Sequence, residues 1–162
     1  MTLIWVLFVV IIFCFAVVLI VGAPYLPTLN KNLDTALKLS ELKKGQTLLE
    51  LGCGDGKVVV AAAKLGINVV AYELNPILAI LAWARTRRYR KQVKIIWGDF
   101  WQKDWPPAEA IFVFLLPKYM DKLDSRIGAY NSRPVRLISF AFEIKDKQPS
   151  KKQNGLFVYD YK

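Results

Sequence analysis

A glycine-rich segment that follows an apolar run is the part of this sequence with the clearest chemical meaning. In TLLELGCGDGKVVVAAA, residues 47–63, an apolar strand leads into Glu50, three glycines follow at Gly52, Gly54 and Gly56, and an alanine-rich helix begins. Glycines at this spacing let a strand turn sharply into a helix, and we expect them to leave backbone N–H groups bare for a ligand. Because a carboxylate at the strand end repels a diphosphate, the segment predicts a ligand that carries a cation or hydroxyl groups.

Two further acids follow the next two predicted strands. Glu73 ends the second strand in AYELNP, where a carboxylate can accept both hydroxyls of a ribose. Asp99 ends the third in GDFW, where it can accept from an adenine amino group while Phe100 or Trp101 flanks the ring. The glycine spacing alone differs by one residue from G-x-G-x-x-G and leaves NAD as an alternative. Acids at three successive strand ends lie along one crevice, which favours S-adenosylmethionine.

Strands alternate with helices in the elements that must position these residues. The predicted strands are nearly all apolar, which indicates a parallel sheet buried on both faces. We therefore predict an α/β, Rossmann-like sheet, mostly parallel, with helices on both faces. The predicted strands are 47–51, 68–73, 93–97, 110–116, 135–142 and 156–161; the predicted helices cover about 33–44, 57–65, 77–88 and 118–127; and 145–155 is a basic hairpin or crossover, read as a solvated loop.

The first residues of the chain predict a membrane anchor. Residues 3–23 contain no charged side chain, and 21 residues rising about 1.5 Å each span roughly 30 Å, enough to cross a bilayer. A cleaved signal peptide and a buried core helix are the alternatives, but no basic residue precedes the run, which is also too long and has no polar face. Since Lys31, Lys38, Lys43 and Lys44 follow it, we expect a single-pass protein with its domain on the cytoplasmic, or matrix-equivalent, side.

The composition limits the chemistry further. The net charge is +10, which favours an anionic surface nearby, either lipid headgroups or nucleic acid. The chain has no histidine and two cysteines, so it predicts neither a histidine general base nor a metal site nor a disulfide framework. The densest basic cluster, residues 85–91, is interpreted first as a solvated helix end, second as a lipid contact, and only third as an RNA site, because no recognition module accompanies it. We expect no nucleic-acid partner.

The motifs together resemble those of the class I S-adenosylmethionine-dependent methyltransferases. More narrowly, the chain resembles the small membrane-anchored protein-lysine methyltransferases, which include mitochondrial enzymes that act on the ATP synthase c subunit and the adenine nucleotide translocase, and their prokaryotic relatives. The residues that carry this resemblance are the anchor, PYLPT, LELGCGDGKVV, AYELNP, GDFW, FLLPKYMDKL and the closing VYDY. The resemblance implies the class I methyltransferase fold and S-adenosylmethionine as cofactor.

The resemblance also implies domain limits and site residues. Residues 1–23 would be the anchor, 24–46 a linker and helix that cover the cofactor site, and 47–162 the methyltransferase domain. In such families the PYLPT region folds over the cofactor. The candidate catalytic residues are Tyr25, Pro117 and Tyr119, and the candidate cofactor-binding residues are Thr28, Glu50, Gly52, Cys53, Gly54, Asp55, Gly56, Glu73, Leu74, Asn75, Asp99 and Phe100.

The FLLP segment, residues 114–117, lies where many amino-methyltransferases carry an Asp/Asn-Pro-Pro-aromatic motif. The Asp/Asn-Pro-Pro-aromatic motif is absent from this sequence, which argues against methylation of adenine N6 or glutamine. Its absence leaves the positioning of a deprotonated amine as the main source of the reaction rate. We therefore predict methylation of lysine on a membrane protein. The alternatives are methylation of a membrane-resident quinone or lipid, and a cofactor-binding protein without catalysis.

Overall fold

A seven-stranded sheet organises the part of the chain that the structure describes. The structure is a computed structural model, and it describes residues 4–6, 8–9, 30–130 and 134–162. The strands run in the order β3-β2-β1-β4-β5-β7-β6, and β1 to β5 are parallel while β7 and β6 are antiparallel to their neighbours. Their bounds are β1 Thr47–Leu51, β2 Asn68–Glu73, β3 Val93–Trp97, β4 Ala110–Val113, β5 Val135–Phe140, β6 Lys151–Gln153 and β7 Leu156–Tyr161. The predicted mostly parallel sheet is confirmed.

Helices cover both faces of this sheet, as predicted. Helices α1 (Asn30–Ser40), α2 (Lys57–Lys64) and α3 (Pro76–Thr86) pack on one face, in a core that contains Leu48, Val69 and Phe112 from the strands. Helix α4 (Met120–Gly128) packs on the other face together with the segment that follows β3. Because both faces are covered, every residue of β4 is buried, which explains why the central strands are continuously apolar.

The ends of several elements differ from the sequence-based prediction. The predicted fourth strand extends to residue 116, but β4 ends at Val113, because Pro117 opens a 3-10 turn, Pro117–Tyr119, that leads directly into α4. Similarly, α3 ends at Thr86 and continues as a 3-10 turn, Arg87–Tyr89. The basic segment 145–155 contains the exposed edge strand β6, so of its predicted forms the hairpin is the observed one.

The predicted anchor, residues 3–23, falls mostly outside the described residues. Residues 4–6 and 8–9 are helical and exposed. Within the described ranges, none of the helices has both the length and the apolar character needed to cross a bilayer. The anchor therefore stays a prediction, and so do the roles of Tyr25 and Thr28, which also lie outside the described residues.

Candidate functional site

The sheet has a crevice at the carboxyl ends of its central strands. The order in which strands are added across the sheet reverses between β1 and β4, although these two strands are parallel. From β1 the chain first adds β2 and β3 on one side, and it then adds β4 and β5 on the other. Ligands of open α/β sheets bind at such a reversal, outside the carboxyl ends of the strands. The glycine segment after β1 and the predicted acids Glu50, Glu73 and Asp99 all belong to these ends. The structure thus brings together the polar residues that the sequence singled out.

The glycine loop has an unusual backbone, because Gly52, Gly54 and Gly56 have φ angles of 92°, 55° and 79°. Only glycine adopts such angles without strain. The expectation that the loop leaves its N–H groups bare is wrong for the three glycines and for Cys53, whose N–H groups donate to other parts of the protein. The N–H groups of Gly52 and Cys53 donate to the carbonyl of Tyr72, and that of Gly56 donates to the carbonyl of Cys53. These bonds fix the loop against β2 and occupy the N–H groups of Gly52, Cys53 and Gly56.

Gly52 and Gly56 have different structural roles. A Cβ added at Gly52 would meet no heavy atom within 4 Å, so this position borders open space at the mouth of the crevice. A Cβ added at Gly56 would lie 3.1 Å from the Cα of Ala82 on α3. Gly56 therefore allows the start of α2 to pack closely against α3, whereas Gly52 leaves room that a ligand could fill.

Glu50 is the most unusual side chain of the crevice. Only 2% of it is exposed, and its Oε2 atom has no hydrogen-bond partner among the described residues. Burial raises the pKa of the Glu50 carboxyl well above its usual range, and the neighbouring carboxylates Glu73 and Asp55 raise it further. A buried acceptor without a partner is costly unless something satisfies it. Glu50 is therefore arranged to meet a donor that the described residues do not supply.

Glu73, on the adjacent strand, is held by backbone donors. Its Oε2 accepts from the N–H of Gly54 at 2.7 Å, and its Oε1 accepts from the N–H of Asn75 at 2.8 Å. Burial raises the pKa of Glu73, and these backbone hydrogen bonds oppose that rise. A carboxylate has about four acceptor positions. A third backbone donor, Leu74, also acts on this carboxylate, so Glu73 keeps acceptor capacity for a ribose hydroxyl beside its backbone partners.

Asn75 completes this part of the crevice and opens α3. Its side-chain Oδ1 accepts from the N–H groups of Ile77 and Leu78, so it caps the helix. The residue is fully buried, yet its Nδ2 has no partner among the described residues. Two buried polar atoms, one acceptor on Glu50 near the end of β1 and one donor on Asn75 after β2, thus have no partner among the described residues.

Asp99 and Phe100 mark the third strand end. The Asp99 carboxylate accepts from the N–H of Trp101 at 2.9 Å and from the Nε2 of Gln102 at 3.1 Å. It therefore caps the 3-10 turn Phe100–Gln102, and its remaining acceptor positions are the ones open to an adenine. The ring of Phe100 is half-buried, with its centroid 4.6 Å from that of Trp101. The predicted role of this pair remains a prediction that the geometry allows.

The remaining candidates of the glycine loop are occupied by contacts within the protein. The Asp55 carboxylate pairs with the Arg85 guanidinium and lies 3.9 Å from the Lys57 ammonium. Cys53 is buried, and burial raises the pKa of its thiol well above its usual range, so it is not a reactive thiolate. Leu74 accepts from the Trp97 indole at 3.1 Å through its carbonyl. These contacts hold α2, α3 and β3 together around the crevice.

An apolar and aromatic wall follows β4 and faces α4. Pro117 is exposed, Tyr119 is half-buried, and the Tyr119 ring centroid lies 6.2 Å from that of Trp101. The sequence reasoning did not single out Arg126, which donates to the carbonyls of Trp101 and Lys103 and lies over the Trp105 ring. Its signal is the helical spacing of Lys122 and Arg126, both of which lie over tryptophan rings. Arg126 fixes the segment that follows β3.

The crevice fits a ligand that carries both a cation and hydroxyl groups. Glu50 offers an unpartnered acceptor, Glu73 offers acceptor capacity beside its backbone partners, and Gly52 leaves the space. No group of three His, Cys, Asp or Glu side chains within the described ranges could hold a metal ion.

Comparison with known proteins gives consistent matches. The family model described as the ANTKMT methyltransferase domain matches residues 50–151. The chain is 30% identical over 123 residues to the ATP synthase c-subunit lysine N-methyltransferase of Homo sapiens, across 74% of this chain and 52% of that protein. It is 29% identical over 131 residues to the protein-lysine N-methyltransferase of Saccharolobus islandicus, across 78% and 81% of the two chains. The chain thus spans about half the length of the human relative.

A solved structure extends the likeness to three dimensions. The RNA methyltransferase from Salinibacter ruber, in complex with S-adenosyl-L-homocysteine, has a TM-score of 0.76 and 26% sequence identity, across 84% of this chain and 92% of that one. The similarity in three dimensions therefore extends over most of this chain.

Proposed function

This chain belongs to the ANTKMT methyltransferase family, and from that premise we propose that it transfers the methyl group of S-adenosylmethionine to a lysine side chain of a protein. The observation that carries the proposal is the pair of buried carboxylates, Glu50 and Glu73, beside the space left by Gly52. The human and archaeal relatives named above as lysine N-methyltransferases support it, since the archaeal one is matched over 81% of its length.

The cofactor is S-adenosylmethionine, as the sequence predicted, and the Salinibacter relative is bound to its product form. When bound, S-adenosylmethionine supplies a methyl group that its sulfonium already activates. The unpartnered Glu50 Oε2 would accept from the ammonium of the cofactor, and Glu73 would accept from a ribose hydroxyl beside its backbone partners. Asp99 and Phe100 would hold the adenine.

The protein must then bring an uncharged lysine amine to that methyl group, because the lone pair of the amine nitrogen forms the new N–C bond as the S–C bond breaks. A free lysine has a pKa of about 10.4 and is protonated at neutral pH. Apolar surroundings disfavour the ammonium. The segment after β4 supplies such surroundings with Phe114, Leu115, Pro117 and the Tyr119 ring. Since the chain has no histidine, we assign these residues to positioning and expect the proton to leave to water.

We further propose that the substrate is a membrane protein. The support is the uncharged stretch of residues 3–23, which predicts an anchor, and the lysines that follow it, which favour the cytoplasmic or matrix-equivalent side. Tethering raises the effective concentration of substrates in the same membrane, so a weak intrinsic affinity suffices. In this proposal Tyr25 and Thr28, which follow the anchor, lie over the cofactor.

One experiment separates this function from its alternatives. The full chain, membranes and methyl-labelled S-adenosylmethionine are incubated together, and the label is measured in the protein, lipid and RNA fractions. We expect the label in protein, recovered as methyl-lysine after hydrolysis, and we expect Glu50→Gln to reduce it.

Label in a fraction other than protein would contradict the lysine proposal. Label in the lipid extract would replace the lysine proposal with the small-molecule one, and label in RNA would assign the chain an activity like the one named for the Salinibacter relative. Absence of label in every fraction, with cofactor binding retained, would favour a protein that binds the cofactor without catalysis.

A further inference from the structure

We propose that the face formed by α3 and β3 docks on anionic lipid headgroups. We call this face the edge patch and define it by its exposed apolar and cationic residues. These are Ile80, Trp83, Arg87, Arg88, Arg90, Lys91 and Trp97. The proposal concerns a surface outside the crevice and does not rest on methyl transfer.

The charge of the edge patch is one-sided. Between Glu73 and Asp99 the sequence has no acidic residue, whereas it has six cations. Of these, Arg85 pairs with Asp55, and the other five form no ion pair with any described residue. Four of them, Arg87, Arg88, Arg90 and Lys91, lie on the edge patch and repel one another, and an anionic surface relieves that repulsion.

Apolar side chains are exposed beside these cations. Ile80, Trp83 and Trp97 are 66%, 61% and 65% exposed, although each is large and apolar. Leu78, Ala79 and Ala82 bury the inner side of α3, and the spacing of Ile80, Trp83 and Arg87 places these three on one outward stripe. Strand alternation puts Trp97 on the same side of the sheet as Val93 and Ile95, which pack towards α3. Tryptophan beside arginine is the composition typical of a membrane interface.

The position of the edge patch suits a tethered domain. β3 is the last strand at this edge of the sheet, so within the described residues no strand covers it. The start of α1 lies close by, because Leu33 and Asp34 line the same groove as Lys57 and Arg85. Only residues 24–29 separate α1 from the uncharged stretch 3–23. At about 3.5 Å per extended residue, that connection keeps this side of the domain within roughly 20 Å of the bilayer.

Other occupants satisfy fewer of these features. Residues 1–30 contain no acid, so the N-terminal segment of the same chain could cover Trp83 but could not neutralise the arginines. A second copy of the chain in a two-fold contact would bring the same cations face to face. RNA would neutralise the charge, but it leaves the aliphatic Ile80 without an apolar partner. Anionic lipid provides both the charge and the apolar layer.

The test uses the full chain in lipid nanodiscs that contain brominated phosphatidylcholine, with or without phosphatidylglycerol. Bromine quenches tryptophan emission on contact, and Trp5 in the predicted anchor provides the same background in both lipids. We expect stronger tryptophan quenching in the anionic discs than in the neutral ones, and we call this difference the excess quenching. Trp83→Phe and Trp97→Phe should each remove part of the excess quenching. Trp105→Phe is the control, since Trp105 packs on the other face of the sheet.

A matched pair of charge variants isolates the cations. Arg87→Gln/Arg88→Gln/Arg90→Gln removes three charges from the edge patch, and Lys145→Gln/Lys151→Gln/Lys152→Gln removes three near the opposite edge of the same sheet. Each cation near an anionic surface contributes about a fivefold change in partitioning. The arginine variant should therefore lose the excess quenching, and the lysine variant should keep it, because Lys151 and Lys152 already pair with Glu41 and Glu143.

Equal quenching in neutral and anionic discs would overturn the proposal, and so would an equal loss of the anionic excess in the arginine and lysine variants. A third contrary result would be binding of a short single-stranded RNA that depends on the same arginines, with no stronger quenching in the anionic discs than in the neutral ones. Retention of the chain on the discs in alkaline carbonate is measured in parallel. That retention reports on the anchor alone, so failure of the anchor and failure of the edge patch give different results.

Discussion

The two halves of the crevice differ in the kind of residue they present. The half formed by β1 and β2 is built from buried polar groups, namely Glu50, Glu73 and Asn75, each with acceptor or donor capacity that the described protein leaves unused. The half that follows β4 is apolar and aromatic, with Leu115 buried and Tyr119 half-buried. The difference indicates a division of labour: the first half recognises a charged, hydroxylated cofactor, and the second shapes the space for an uncharged amine.

Filling the polar half should have the largest effect on binding. Gly52→Leu places a side chain in the open space beside Gly52, and overpacking a fitted site costs about 1–3 kcal/mol. We expect the affinity for S-adenosylhomocysteine, measured by calorimetry, to fall about a hundredfold. Gly45→Leu is the matched control, because Gly45 has a φ of 88° and open space of its own, far from the crevice in the turn before β1. An equal loss in both variants would show that backbone strain, and not occupancy, is responsible.

Neutralising the central acid should weaken binding less and stabilise the empty protein. In Glu50→Gln we expect the affinity for S-adenosylhomocysteine to fall about tenfold, since a charged acceptor is lost. We expect the free energy of unfolding of the unliganded protein to rise at neutral pH, because the folded chain holds Glu50 protonated at a pH where the unfolded chain ionises it, and glutamine does not carry that cost. A variant that loses stability at neutral pH would contradict this account of Glu50.

The stability gain of Glu50→Gln should depend on pH. Burial raises the pKa of Glu50 in the folded protein, so between the unfolded and the folded pKa the native state holds a proton that the unfolded chain has released. Stability of the wild-type chain therefore falls as the pH rises through this window, and Glu50→Gln does not share that fall. Denaturant unfolding at a series of pH values should show the two chains converging below about pH 4, near the ordinary pKa of glutamate. A pH-independent difference would assign the effect to shape instead.

The apolar half should respond weakly to loss of a single polar atom. Because we assign Tyr119 to shaping the substrate space, Tyr119→Phe should lower kcat only a few fold, whereas Tyr119→Ala should lower it further by removing the ring beside Trp101. The measurement is the steady-state rate of methyl transfer at saturating cofactor and substrate. If Tyr119→Phe were as damaging as Tyr119→Ala, the hydroxyl would have a direct role in the transfer.

The smallest effect should come from the ion pair that borders the glycine loop. Asp55→Asn breaks the pair with Arg85, which is partly exposed and therefore contributes only about 0.2–1 kcal/mol. We expect a small loss in the free energy of unfolding, screened by salt, and cofactor affinity within about twofold of the wild-type value. A large loss of affinity with unchanged stability would instead place Asp55 in contact with the cofactor, as its assignment from the sequence predicts.

The sequence predicted the sheet well because its strands carry a strong local signal. Strands β1, β2, β3 and β7 begin and end where the apolar runs predicted, and Glu73 and Asp99 lie at strand ends. The internal use of the loop N–H groups was not predictable, since Gly52 and Cys53 donate to Tyr72, a residue on another strand. The pairing of Asp55 with Arg85 is equally non-local. The cap that Asp99 provides to the turn after β3, however, follows the ordinary N-cap preference and could have been read from the sequence.

The central claim is that the polar half binds S-adenosylmethionine with Glu50 facing its ammonium. The most direct test is calorimetric titration of the full chain with S-adenosylhomocysteine near pH 6, in two buffers of different ionisation enthalpy. Because a cation beside the Glu50 carboxyl lowers its raised pKa, we expect binding to release protons, and we expect Glu50→Gln to abolish that release. NAD should not bind. Binding of NAD in preference to S-adenosylhomocysteine, or the same proton release in Glu50→Gln, would contradict the claim.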